Sequence, residues 1–180
     1  GEVVLIGENI TNQGHVSANS IRGDAGKIEI TAKNTNEIRQ SGSVTAVAQE
    51  LGIGGGIKML GDKVGVLDEA RIDVSGAQGG GKALIGGDEQ GQNNQIRNAR
   101  FVFAGENTHI HADGVILGKG GTIILFAEDT ARIFGKTSSV GGEQGGDGGY
   151  VETSGLRGFE ISDSPLVHAP SGKSGSWLID

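Results

Sequence analysis

Gly145-Gly146-Asp147-Gly148-Gly149 runs directly into Tyr150-Val151-Glu152-Thr153-Ser154-Gly155. A glycine cluster gives way to residues that alternate between two faces, as a tight turn feeding a short half-buried strand requires. Outward from Val151 and Thr153 the same pair recurs along the chain: Val3/Leu5, Ile28/Ile30, Ile57/Met59, Ala83/Ile85, Ile123/Leu125 and, at the end, Trp177/Ile179. Subtracting the first members gives steps of 25, 29, 26, 40, 28 and 26 residues, so one repeated unit accounts for the whole chain.

A second ladder advances with the first: Val16/Ala18, Val44/Ala46, Ile72/Val74, Ile110/Ala112, Thr137/Ser139 and Val167/Ala169, with steps of 28, 28, 38, 27 and 30. Both ladders share the long central step, so they belong to one repeating unit and not to two independent sheets. A third, less regular strand lies between them around Ile10, Ile38, Val64/Val66, Phe101/Phe103, Ile133 and Phe159/Ile161. Strands such as Lys27-Ile28-Glu29-Ile30-Thr31 and Arg71-Ile72-Asp73-Val74-Ser75 keep a period of two, with one face in and one out. Equivalent strands some 25 to 30 residues apart stack in the same direction, which defines a parallel β-solenoid. The expected fold is an all-β parallel β-helix of six to seven coils, three short strands per coil, rising about 4.7–4.9 Å per coil. Helices between the strands would make a doubly wound fold instead. The best helical candidate, Gln90 to Ala99, has too few apolar positions to pack.

Composition narrows the function classes. Glycine contributes 35 of 180 residues without the every-third spacing of collagen, and proline only 2. Aromatics are 4%, so a thin interior of Ile, Val, Leu and Ala is implied. The net charge is −7, with 15 basic residues scattered among 22 acids, and no basic stripe marks a nucleic-acid partner. Absence of cysteine removes disulfides, thiolate metal sites and cysteine nucleophiles. No apolar run approaches the roughly 18 residues of a membrane helix, and Gly1 opens directly into a repeat with no charged-then-apolar leader, as in an internal segment.

One coil is irregular. A polar insertion, Asp88 to Arg100 within a stretch of about 88–107, lengthens the central step. Insertions in solenoids become loops on one face, often the binding face, so Asp88, Glu89, Gln92, Asn93, Asn94, Arg97 and Arg100 are candidate binding residues. The competing reading is a tolerated surface loop.

Six segments in order resemble a known family. They are Ala83-Leu84-Ile85-Gly86-Gly87-Asp88, Asn98-Ala99-Arg100-Phe101-Val102-Phe103, Ile110-His111-Ala112-Asp113, Gly120-Gly121-Thr122-Ile123-Ile124, Gly148 to Gly155, and the closing Ser171 to Asp180. The family is that of the filamentous haemagglutinin-like exoproteins of Gram-negative bacteria, exported by two-partner secretion (the TpsA class). Each motif alone is weak, but the ordered set, covering about the last hundred residues, is specific. The first eighty residues match only as generic repeats. The resemblance implies a right-handed β-helix forming an internal shaft segment of a large secreted or surface-exposed adhesin. It further implies a host or neighbouring-cell glycan or protein receptor, and an outer-membrane TpsB-type transporter engaged during export through parts outside this chain. Carriers of contact-dependent toxins share such a shaft, so that reading stays open.

Catalytic and metal chemistry find little support. A polysaccharide-cleaving β-helix gathers carboxylates on adjacent coils, yet the outward column beside the second ladder, Ser17, Thr45, Asp73, His111, Ser138 and His168, holds one. His109, His111 and Asp113 alternate on one strand and invite a metal reading. A third ligand is missing on the next coil, where Lys136 and Ser138 stand, so solvated histidines are the simpler expectation. Gly142 to Gly149 resembles a calcium-binding glycine–aspartate repeat, but it occurs once where tandem copies are needed. Asn9-Ile10-Thr11 matches a glycosylation sequon by pattern only. Arg22-Gly23-Asp24 is the tripeptide that integrin-binding proteins display and falls in a turn between coils, making these three residues a further binding candidate. The expectation is a monomeric, non-catalytic adhesive segment without cofactor or metal. Its runner-up is a carbohydrate-binding or carbohydrate-cleaving β-helix.

Overall fold

The computed structural model describes residues 1–180, and every ladder between coils in it is parallel. The first ladder joins Glu2–Gly7, Lys27–Ala32, Gly56–Leu60, Lys82–Ile85, the first half of Thr122–Ile133, Tyr150–Gly155 and Ser176–Ile179. Its register is the one the period-two pattern predicts: Val3 lies opposite Ile28, Ile28 opposite Ile57, Ile57 opposite Ala83, Ala83 opposite Ile123, Ile123 opposite Val151, and Val151 opposite Trp177. The fold is a parallel β-helix.

The second ladder stacks His15–Ser17, Ser43–Thr45, Arg71–Asp73, His109–His111 and Lys136–Ser138. The third stacks Ile10–Asn12, Glu37–Gln40, Lys63–Val66, Ala99–Ala104, the second half of Thr122–Ile133, and Gly158–Ile161. A fourth short pairing, Ser20–Arg22 with Ala48–Leu51, adds to the expected three strands in the first coils, and single bridges carry it on through Gly76 to Gly114.

Two details of register depart from expectation. Val102 and Ala104 point inward, opposite Val64 and Val66, while Phe101 and Phe103 point out and are more than a third exposed. Both alternate pairs of Phe101-Val102-Phe103-Ala104 are apolar, and the narrow interior selects the smaller pair. In the second ladder Ser138 pairs with Leu166, so Val167 lies beneath Ser139 and not beneath Thr137. A shift of two residues keeps every side chain on its face, so periodicity alone does not detect it. His168 therefore leaves the outward column, where Leu166 takes its place; the His168 carbonyl instead accepts from the Gly141 N–H.

The interior is one continuous cluster of 26 buried residues, mostly Ile, Val and Ala, with Met59 and Leu125 among the largest. Burying each Ile or Leu there contributes about 1.5–3 kcal/mol. Val3, Leu5, Ile10 and Val16 in the first coil and Trp177 in the last are only partly buried, since each end coil packs against a single neighbour in the stack. A polar rung sits inside the third ladder: Asn12 donates its side-chain amide to Gln40 at 3.0 Å, and Gln40 is fully buried with its own NH2 group unpartnered.

Glycine sets the coil-to-coil spacing just before the first ladder. A Cβ on Gly149 would lie 2.1 Å from the carbonyl oxygen of Gly121, and one on Gly121 would lie 2.0 Å from that of Gly81. Gly26, Gly55, Gly81 and Gly175 meet the coil below at comparable distances, so the turn stacks only if this column stays without side chains.

Candidate functional site

The inserted residues fall between Ile85 and Ala99 and fold back over the outer face of the first ladder. Beneath them Leu84, Ile124 and Phe126 form a second small apolar cluster, with Ile96 and Tyr150 packed against it. The insertion is thus a strap over the outside of the sheet. The Phe126 ring fills the space beside Gly87 and Gly91, where any Cβ would overlap it.

Polar contacts fix the strap at three places. Asp88 accepts from the Glu89 N–H at 2.9 Å and from the Asn93 amide at 2.8 Å, and its Oδ1 pairs with Lys82 Nζ at 2.8 Å. Burial pushes the Asp88 carboxyl up, but the bonds from Lys82, Asn93 and the Glu89 N–H outweigh it and hold the group at about 2. Arg100 grips Asp62 with two bonds of 2.9 and 2.8 Å, while Arg97 approaches Asp62 at 3.8 Å and donates to the Ala32 carbonyl at 3.3 Å. The Arg100 fork and the Arg97 and Lys63 charges hold Asp62 below the usual carboxylate range against the cost of its burial. Glu152 is the third anchor and was legible only as an outward residue. It does leave the coil outward, yet it is fully buried beneath the strap, accepting from the Gln90 N–H at 3.0 and 3.1 Å and from the Ser154 hydroxyl at 2.7 Å. The Tyr150 hydroxyl beside it is pushed up to about 12 by its own burial and by the Glu152 and Glu89 charges.

Asp88, Asn93, Arg97 and Arg100 are therefore engaged in holding the strap, and Glu89, Gln92 and Asn94 are its exposed crest. Nothing in the sequence marked Asp62 or Glu152 as their partners, since both contacts join residues 38 or more positions apart.

Arg22 ends the short strand Ser20–Arg22, Gly23 turns with φ +100°, and Asp24 follows. Both charged side chains reach the next coil: Arg22 pairs with Glu50 at 3.0 Å, and Asp24 accepts from the Ile53 N–H at 2.8 Å. The turn and the strap belong to different coils and different ladders and do not form one site.

Two further surfaces carry chemistry. On the outer face of the third ladder, Phe101 and Phe103 stand beside Arg39 and Lys63 around a groove of about 240 Å3; Arg100 lies over the Phe101 ring at 5.4 Å, and Phe103 meets Phe134 edge-on at 5.9 Å. On the outer face of the second ladder, His109, His111, Asp113, Lys136, Ser138 and Asp163 line an open groove of about 660 Å3. Ser138 donates its hydroxyl to Asp113 at 2.8 Å, and the same oxygen lies 2.8 Å from His111 Nδ1. With its one proton committed to Asp113, Ser138 accepts from His111, so the Nδ1–H tautomer is selected. That arrangement is the reverse of a nucleophilic pair, in which imidazole accepts from the serine.

These coils define a class, the parallel β-helix with an external strap, and likeness to known proteins narrows it. No family model matches the chain, and no curated protein sequence does. Among solved structures, the chain is similar to the crystal structure of the HMW1 secretion domain from Haemophilus influenzae, with 33% identity and a TM-score of 0.83 over 100% of this chain and 46% of that one. The chain thus spans less than half the length of that domain. The likeness over the full length of this chain supports a β-helix segment of the filamentous haemagglutinin-like, two-partner-secretion (TpsA) class, the resemblance that the ordered motifs of its last hundred residues carry.

Proposed function

We propose that this chain is a non-catalytic segment of a large exoprotein that is secreted to the bacterial surface, where it serves in attachment to host or neighbouring cells. We further propose that it is handled by the outer-membrane TpsB-type transporter during export. The sequence alone placed the transporter contact in parts outside the chain. The observation that carries the revised reading is the likeness, from end to end, to a domain named for secretion. An unbroken stack of parallel strands also suits the role, because a rod that grows coil by coil can fold progressively as it emerges. The test is secretion of the full exoprotein with residues 1–180 deleted, beside binding of the purified chain to the periplasmic part of its transporter. Lost secretion and saturable binding are expected; full secretion together with no binding overturns the export role.

Adhesion rests on the exposed surfaces. Arg22-Gly23-Asp24 and the crest residues Glu89, Gln92 and Asn94 are the proposed contacts, and Asp24→Glu is expected to lower attachment wherever attachment of cells bearing the exoprotein is measurable. Unchanged attachment removes the tripeptide from the reading. A glycan receptor is favoured by the exposed Phe101 and Phe103 rings, which offer flat faces to sugar rings beside the polar groups of Arg39 and Lys63. A glycan array with the Phe101→Ala/Phe103→Ala protein as control separates that reading from a protein receptor.

A further inference from the structure

We propose that His109 and His111 form a chelating site for a divalent late transition-metal ion, with Cu2+ the strongest binder, on the outer face of the second ladder. The two imidazoles occupy alternate positions of the strand His109–His111 and so leave the sheet on the same side. Their rings stack, with centroids 5.9 Å apart and planes inclined by 17°. Both are half-buried at the edge of the groove of about 660 Å3, open to an ion and its water ligands.

The support behind His111 is what a metal-binding imidazole needs and a merely solvated one does not. Its Nδ1–H is committed to Ser138, and Ser138 to Asp113, so the lone pair is left on Nε2. Asp113 is itself fixed: its Oδ1 accepts from the Val140 N–H at 2.8 Å, and its own N–H donates to Ser75 at 3.1 Å.

No three His, Asp or Glu side chains converge here, so the protein supplies two nitrogens and water completes the shell. Metal–nitrogen bonds of about 2.0–2.1 Å bring the two nitrogens to about 2.9 Å at adjacent positions of a tetragonal Cu2+ shell and to about 3.4 Å in a tetrahedral Zn2+ one. The rings must therefore tilt toward each other, and His109 does so by side-chain rotation while His111 stays anchored. The charges around the groove favour a cation. Asp73, Asp113 and Asp163 contribute three negative charges; Arg71 and Lys136, in register on either side of His109, contribute two positive ones. Arg71 and Asp73 neutralise each other at 2.6 Å, which leaves Asp113 and Asp163 against Lys136 at the mouth. Imidazole donors suit Cu2+, Ni2+ and Zn2+, and affinities should follow Mn2+ < Ni2+ < Cu2+ with Zn2+ below Cu2+.

The chain contains 4 histidines, which makes the test clean. Calorimetric titration of the intact chain with CuCl2, NiCl2, ZnCl2 and MnCl2 is expected to give one site in that order. His111→Ala and His109→Ala should each abolish it, and His15→Ala/His168→Ala should leave it intact. Ser138→Ala, which removes only the support, should weaken binding by about tenfold with the fold retained by circular dichroism. Lys136→Gln should strengthen it. Paramagnetic broadening by Cu2+ should be confined to His109, His111 and their neighbours. Binding that survives His109→Ala/His111→Ala, or no binding by the folded wild-type chain, overturns the proposal.

Discussion

At the scale of single residues, glycine in this chain answers to two different demands. Gly146 has φ +120°, a conformation that side-chain-bearing residues rarely adopt. Gly149, three positions on, has no such backbone need; it is fixed by the carbonyl oxygen of Gly121 at 2.1 Å and the Ser139 hydroxyl oxygen at the same distance from where its Cβ would be. The sequence showed that a turn was present, but coil-on-coil contact is a property of the stack and no local pattern reveals it. Gly149→Ala is expected to destabilise by about 1–3 kcal/mol, the cost of inserting a methyl group into packed surroundings. Gly158→Ala, where a Cβ meets nothing within 4 Å, should be close to neutral. Urea denaturation of the two variants beside the wild type checks the pair, and equal midpoints would remove the stacking column as the reason for the glycine content.

At the scale of elements, the strap shows where sequence reading stopped. The extra length was visible as a step of 40 in the first ladder, and its polar composition suggested a free loop. Its apolar anchors were hidden because Leu84, Ile124 and Phe126 belong to regular strands, and their partner Ile96 is isolated among Asn, Gln and Arg. Candidate binding residues were therefore read without the contacts that occupy them. The strap also has a pH response with a defined sign. Asp88 falls from an ordinary value of 3.8 to about 2 in the folded protein, so the folded state binds its proton less readily than the unfolded one. The contribution of Asp88 is fully present above pH 4 and is lost as the pH falls through about 2. Asp88→Asn should loosen the strap at neutral pH, seen as faster proteolysis or amide exchange near Gln92–Asn94, and should flatten the response between pH 4 and 2. A loop equally protected in both proteins across that range would show that the Lys82 and Asn93 contacts do not hold it.

At the scale of the whole molecule, stability is distributed along an axis. Each coil touches its two neighbours and little else, so its contribution is its own packing plus two interfaces. That is why so much of the fold was legible: one correct assignment of an inward pair, repeated at the right step, fixes seven strands of the first ladder at once. Errors of register fell where the pattern is degenerate, as at Phe101 and Val102, where both faces are apolar, and at Val167, where a slip of two preserves the face. The same architecture predicts that the cost of one substitution depends on its coil. Ile123 is fully buried in the middle of the stack, opposite Ala83 on one side and Val151 on the other, whereas Val3 is half-buried in the first strand with a neighbour on one side only. A carboxylate at either position would be buried without a partner if the coil stayed formed. In the chain of residues 1–180, Val3→Asp can escape by fraying the first coil, and should leave the main melting transition near that of the wild type while amide protection is lost at Glu2–Gly7. Ile123→Asp cannot escape that way; it must break two interfaces, and should separate the rod into blocks that melt at lower temperature and with reduced cooperativity. Thermal melts with residue-resolved hydrogen exchange distinguish the two, and an Ile123→Asp protein that melts like the wild type would refute the inward ladder itself.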